Sequence, residues 1–242
     1  MDKTLYLECY YGISGDMTVA ALLDLGANYE KLVEILNALN LNDEFSIFVS
    51  KVKKCGIDAN DFNVILNTPE PTHQHRNLKD IFEIIDKVDN ENVKQLSKAI
   101  FRIVAEAEAK AHGIAIDEVH FHEVGATDSI VDIVSTAFCL VDLKIDNVIV
   151  SPLYEGYGFV KCAHGMLPVP TPAVLNIINK YNLELSITDN DGEMVTPTGA
   201  AIVAAIKTTD RLPKEYTIKN IGLGAGKRYP DKPNILRAMI IQ

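Results

Sequence analysis

Segments with the period of a helix and segments with the alternation of a strand follow one another irregularly along this chain, and that irregularity restricts the fold most. A regular strand–helix rhythm would build a doubly wound parallel sheet; a broken one predicts a mixed α/β fold with the helices around a mixed sheet. Strands are expected over residues 4–9, 45–53, 62–66, 147–151, 156–162, 216–223 and 234–241, with a turn over 56–61. Helices are expected over 16–25, 29–39, 78–87, 93–112, 129–143 and 173–179. A further helix over 197–206 follows Thr196 as N-cap and Pro197 at the first helical position. No internal repeat or low-complexity linker divides the chain. Residues 1–242 read as one domain, with 40–76 marked as a small subdomain.

Composition excludes several classes. Hydrophobic residues at 48% are enough for a folded core. A formal net charge of -10 argues against broad neutralisation of nucleic-acid phosphates but leaves a local nucleotide site open. Cys9, Cys55, Cys139 and Cys162 form no CxxC pair, so a zinc knuckle or redox dithiol has no support. No signal-peptide pattern and no membrane span is evident, so the chain reads as cytoplasmic, with neither nucleic acid nor membrane as a partner.

The densest chemistry lies in His120-Phe121-His122-Glu123, with Asp128 five residues on. On an extended backbone His120 and His122 share a face. Two imidazoles with carboxylates nearby suit nickel, zinc or cobalt. A polar strand end with Asp128 as a plain helix cap explains the same residues equally well. Glu123 would face away from both rings and could support one from behind. His73 and His75 read as a solvated surface pair, and His164 as structural. Gly12-Ile13-Ser14-Gly15-Asp16 lies between strand and helix; it is neither a Walker loop nor GxGxxG, and Asp16 there either caps the helix or faces a metal. Thr196, Thr198 and Gly199 mark a second helix start, and Gly222 to Arg228 a glycine-rich turn beside two cations. Three such features together favour a phosphorylated ligand. Ser14 is not in a GxSxG elbow, so a Ser/His/Asp hydrolase fits poorly.

These blocks, from Glu8-Cys9 and GISGDM through HFHEVGATDSIVDI, GFVKCAHGMLPVPTPA and GEMVTPTGAA to IGLGAGKR, resemble the LarC family in order and across nearly the whole chain. The resemblance implies insertion of Ni2+ into pyridinium-3,5-bisthiocarboxylate mononucleotide, a CTP-dependent cyclometallation of the lyase class. The product holds nickel through two sulfurs and one ring carbon, and loss of the ring proton calls for a general base. Family members carry a further C-terminal part associated with CTP and a divalent metal. This chain is expected to correspond to the N-terminal part and to work with the other, fused or separate; a homo-oligomer is compatible with this. Glu8 stands where the family usually has Asp, and the histidine-rich loop is reduced to His73 and His75.

On that resemblance His120, His122, Glu8 and Asp16 are the expected metal ligands. Glu123 and Asp128 are the candidates for proton transfer or ligand support. Gly12, Ser14, Gly15, Thr196, Thr198 and Gly199 are expected to cradle the substrate phosphate. The rival readings are a metal-dependent hydrolase of a small phosphorylated compound and a non-catalytic nickel-storage or scaffold subunit.

Overall fold

The computed structural model describes residues 2–67, 76–119, 127–162, 165–209, 211–228 and 232–242. In chain order the elements are β1 (Thr4–Glu8), α1 (Gly15–Asp24), α2 (Tyr29–Ala38), β2 (Phe45–Lys54), β3 (Ile57–Leu66), α3 (Leu78–Ile85) and α4 (Glu91–His112). A 3-10 turn (Ile116–Glu118) precedes α5 (Thr127–Asp142), β4 (Asn147–Val150), β5 (Leu153–Tyr157), β6 (Phe159–Cys162) and β7 (Gly165–Pro168). Then come α6 (Pro172–Tyr181), β8 (Leu185–Asp191), α7 (Pro197–Ile206), β9 (Ile218–Ala225) and β10 (Ile235–Ile241).

The main sheet has six strands in the order β2-β3-β9-β10-β1-β4. It is mixed, as the irregular rhythm predicts: β1 pairs β4 in parallel and β10 antiparallel, while β9 pairs β10 antiparallel and β3 in parallel. Strand alternation sorts its side chains. Leu5, Leu7, Leu236, Ala238 and Ile240 enter the main core with the helices. Tyr6, Ile149, Met239 and Ile241 form a smaller cluster on the other face, covered by Leu212 and Tyr216.

Three local features differ from the sequence expectation. The first hairpin turns at Cys55 and Gly56, whose φ values of 49° and 82° suit a tight two-residue turn, so β3 begins at Ile57 instead of after Asp61. The segment expected as one strand over 156–162 is two, divided at Gly158 (φ 87°). The glycines of the Gly222–Arg228 block serve packing. On β9, a Cβ at Gly222 would stand 2.1 Å from the Ala21 carbonyl oxygen, and one at Gly224 2.0 Å from that of Met17. Their absence lets the α1 backbone lie directly on β9.

Topology sets one end of the sheet as the functional end. Because β10 runs antiparallel to β1, the β9–β10 connection returns beside the carboxyl end of β1. There the chain turns from β1 into α1, and the parallel strand β4 ends alongside. Open α/β sheets bind ligands beyond this end of their strands.

Candidate functional site

A cavity of about 700 Å³ opens at that end, within the size range of sites for small ligands. The Ser14–Asp16 turn, the Thr196–Thr198 helix start and Gly226, Lys227 and Arg228 of the β9–β10 connection all line it. The three separate stretches picked out in the sequence therefore meet. Asp128 and Asp132 of α5, Thr171 to Ala173 at the start of α6, Lys161 and Cys162 of β6, and Glu108 and His112 of α4 complete much of the wall.

The first two loops are locked to each other through backbone. Ile13 donates its N–H to the Met194 carbonyl at 3.0 Å, and Thr196 donates to that of Ile13 at 3.1 Å. Gly12 (φ 79°) and Gly199 make this approach possible. A Cβ on the first would lie 2.0 Å from Met194 O, and on the second 2.2 Å from Ile13 O. These two glycines support the wall and do not line the cavity. Behind the second loop, Glu155 Oε1 accepts N–H bonds from Gly156 (2.8 Å), Met194 (2.6 Å) and Val195 (3.1 Å). Burial raises the Glu155 carboxyl, although these three donors oppose the shift.

One side of the cavity is acidic. Asp16 accepts from the Ser14 hydroxyl and, through the same oxygen, from the Met17 N–H at 2.9 Å. Its other oxygen lies 3.1 Å from Lys227 Nζ. Asp132 sits against Gly15, where a Cβ would meet its Oδ2 at 2.6 Å. Its Oδ1 is buried without a hydrogen-bond partner. Burial, then the Asp16 and Asp128 carboxylates, push Asp132 well above the usual carboxylate range; Lys227 and the Asp16 N–H oppose this. Lost hydration also raises Asp128, against the pull of the Ser129 N–H and its own, although Asp128 stays open to the cavity. Across the cavity Arg228 pairs with Glu193 at 2.8 Å.

Not every expected site residue joins this group. Glu8 shares the sheet face of Tyr6, away from the helices, and is ion-paired with Arg237. It does not line the cavity. His120, His122 and Glu123 lie outside the described residues, as do His73, His75 and His164. Among the described residues no group of three or more His, Cys, Asp or Glu side chains is placed to hold a metal ion. Asp132, Thr171, Glu108, His112 and Cys162 line the cavity without having stood out in the sequence. Two signals were available. Asp132 follows Asp128 by four residues, which puts both on one helix face. Thr171-Pro172 repeats the Thr196-Pro197 helix start.

Residues 5–242 match the family described as nickel insertion protein. The chain is 57% identical over 258 residues to the pyridinium-3,5-bisthiocarboxylic acid mononucleotide nickel insertion protein of Alkaliphilus metalliredigens, covering 100% of this chain and 61% of that protein. It is 45% identical to the protein of the same name from Acetivibrio thermocellus, covering 98% and 60% respectively. With that of Clostridium kluyveri the identity is 44%, covering 98% and 62%. The chain thus spans about 60% of the length of these curated relatives. No solved structure matches it. No helix among the described residues is long and apolar enough to cross a membrane.

Proposed function

The chain belongs to the nickel insertion protein family, and from that membership we propose that it binds Ni2+ and pyridinium-3,5-bisthiocarboxylic acid mononucleotide and acts in joining them. One observation carries the reading. Ser14, Asp16, Asp128, Thr196, Thr198 and Lys227 come from four distant stretches of sequence and line one cavity of about 700 Å³. A mononucleotide with a charged ring and a phosphate needs both poles that this wall offers, carboxylates on one side and helix N-termini on the other.

Asp16 and Asp128 form the pole that receives the cation, and the substrate's two sulfurs are soft donors suited to nickel. His120 and His122 bind and deliver the ion: in the sequence they precede Asp128, which stands in the first turn of α5, by eight and six positions. Joining nickel to the ring replaces a C–H bond by a C–Ni bond. The electron pair stays with the carbon and the proton leaves to a base. Asp128 is that base, raised in pKa and open to the cavity, with Glu123 as its neighbour in sequence. Ser14, Gly15, Thr196 and Thr198 contact the mononucleotide, while Gly12 and Gly199 hold their loops in register. CTP and its divalent metal engage the part of the relatives beyond the aligned stretch, supplied in the same chain or as a separate one.

Nickel titration of the wild type and of a His120→Ala/His122→Ala double variant tests delivery. A clear loss of affinity is expected, and equal affinity removes the pair from the metal's path. For proton transfer, Asp128→Asn is expected to keep substrate binding and to lose about 100-fold or more in insertion rate. That assay includes the remaining part of a relative and CTP. Insertion at the wild-type rate in the Asp128→Asn protein takes the base role from Asp128.

A further inference from the structure

Four helices, α1, α5, α6 and α7, present their N-termini to the cavity. Three have a first-turn N–H bonded to a side chain of their own helix start. In α1 the Met17 N–H bonds Asp16, in α5 the Ser129 N–H bonds Asp128 at 2.8 Å, and in α7 the Gly199 N–H bonds Thr196 Oγ1 at 3.1 Å. The start of α6 differs. Thr171 has the extended backbone of an N-cap, but its side chain makes no bond to its own helix, and the first turn holds no acidic residue. The residue is 7% exposed, and its Oγ1 is buried without a hydrogen-bond partner. Threonine at an N-cap ordinarily turns its oxygen to the helix as an acceptor; here the hydroxyl remains uncommitted.

The backbone adds two donors. Pro172 has no N–H, and the first intrahelical bond runs from Leu175 to the Thr171 carbonyl at 3.0 Å. The N–H groups of Ala173 and Val174 therefore lack intrahelical acceptors. Thr171 and Ala173 line the cavity. Cations show the same division. Lys227 pairs with Asp16 and Arg228 with Glu193, whereas Lys161, also on the cavity wall, makes no ion pair among the described residues.

We propose that the N-terminus of α6, with the Thr171 hydroxyl, the Ala173 and Val174 N–H groups and Lys161, is the seat of the substrate's phosphate monoester. This rests on the reading of the cavity as a mononucleotide site and assigns the polarity of the substrate within it. Three terminal phosphate oxygens match three directed donors, and a dianion draws most from the helix dipole. The Asp16 and Asp128 carboxylates repel the same group from α1 and α5. With its phosphate at α6, the mononucleotide has its ring directed to the acidic pole where nickel arrives.

Amide NMR of the chain, titrated separately with inorganic phosphate, ribose 5-phosphate and pyridine-3,5-dicarboxylate, tests the seat. Both phosphates are expected to shift the Ala173 and Val174 amides most and saturably, and the dicarboxylate to leave them in place. Thr171→Val is expected to weaken phosphate binding about tenfold, and Thr171→Ser to restore it to within about threefold. Nickel titrated in parallel is expected to bind Thr171→Val as it binds the wild type. The proposal is overturned if the largest shifts fall on Met17 or Gly199, if the dicarboxylate is what moves Ala173, or if Thr171→Val binds phosphate like the wild type. Loss of nickel binding in the histidine double variant bears only on metal delivery, so the two readings stand or fall separately.

Discussion

Asp132 shows how one side chain can report on a cavity. It is a carboxyl held under Gly15 beside two others, with Oδ1 unpartnered, and its pKa lies well above the ordinary range. The fold thus favours the protonated acid. That contribution to stability is whole below the ordinary carboxylate pKa and is lost as pH rises through the folded value. Asp132→Asn removes the charge and keeps the shape. Its urea midpoint is expected to exceed that of the wild type at about pH 8, and the gap to close toward about pH 4. A gap that does not change with pH would mean that Asp132 titrates normally. In the sequence this residue is hidden, because an aspartate inside an apolar helix reads as its exposed edge. Ser14, Asp16 and Thr196 were legible for the opposite reason: turn and cap residues betray their backbone. Glu8 ends a strand, as the sequence predicts, but alternation along β1 sends it to the face opposite the helices, where Arg237 meets it.

Elements were legible where periodicity and caps agreed, as in α2, α4 and α7. They were less legible where β-strands are short: β7 and β8 carry too few residues, or too many polar ones, to show a period. What no periodicity reveals is how elements are fastened together. Arg76, just before α3, donates to both Glu44 oxygens at 2.7 and 2.8 Å and to Thr127 Oγ1 at 3.1 Å. The Thr127 hydroxyl donates in turn to Glu44 at 2.6 Å. One node therefore ties the entry to β2, the start of α3 and the first residue of α5, one position before Asp128. Burial raises Glu44, but the hydrogen bonds from Thr127 and Arg76 outweigh it and leave the carboxyl below its ordinary range. The stabilisation from this shift is present above the ordinary carboxylate pKa and lost as pH falls through the folded value. Arg76→Met should cost about 2 kcal/mol at neutral pH, since Glu44 is partly open to water. The loss should shrink in acid, and urea unfolding at two pH values reads both effects. A deficit of the same size at both would detach Glu44 ionisation from the node.

At the scale of the whole molecule the site depends on a sheet order that local sequence does not encode. Asp16 and Lys227 meet only because β10 is inserted antiparallel between β1 and β9. The same order leaves the β2–β3 hairpin at one side. β3 joins β9 through the single register position Asn60↔Gly224, while β2 is an edge strand carrying exposed Phe48. Phe62 and Phe45 anchor the hairpin in the main core, with Ile47, Val49 and Val64 packed against it, and β2 pairs along its whole length with β3, but one ladder position alone joins the hairpin to β9. Segments with few shared ladder bonds open below the global unfolding free energy. Native-state hydrogen exchange should therefore show residues 45–54 opening at least about 2 kcal/mol below β1 and β10. That difference would give the 40–76 subdomain a physical meaning: a unit that unfolds while the cavity keeps its walls at α1, α5, α6 and α7. If β2 and β10 share one opening free energy, the hairpin is part of the same cooperative body, and the chain has no subdomain at all.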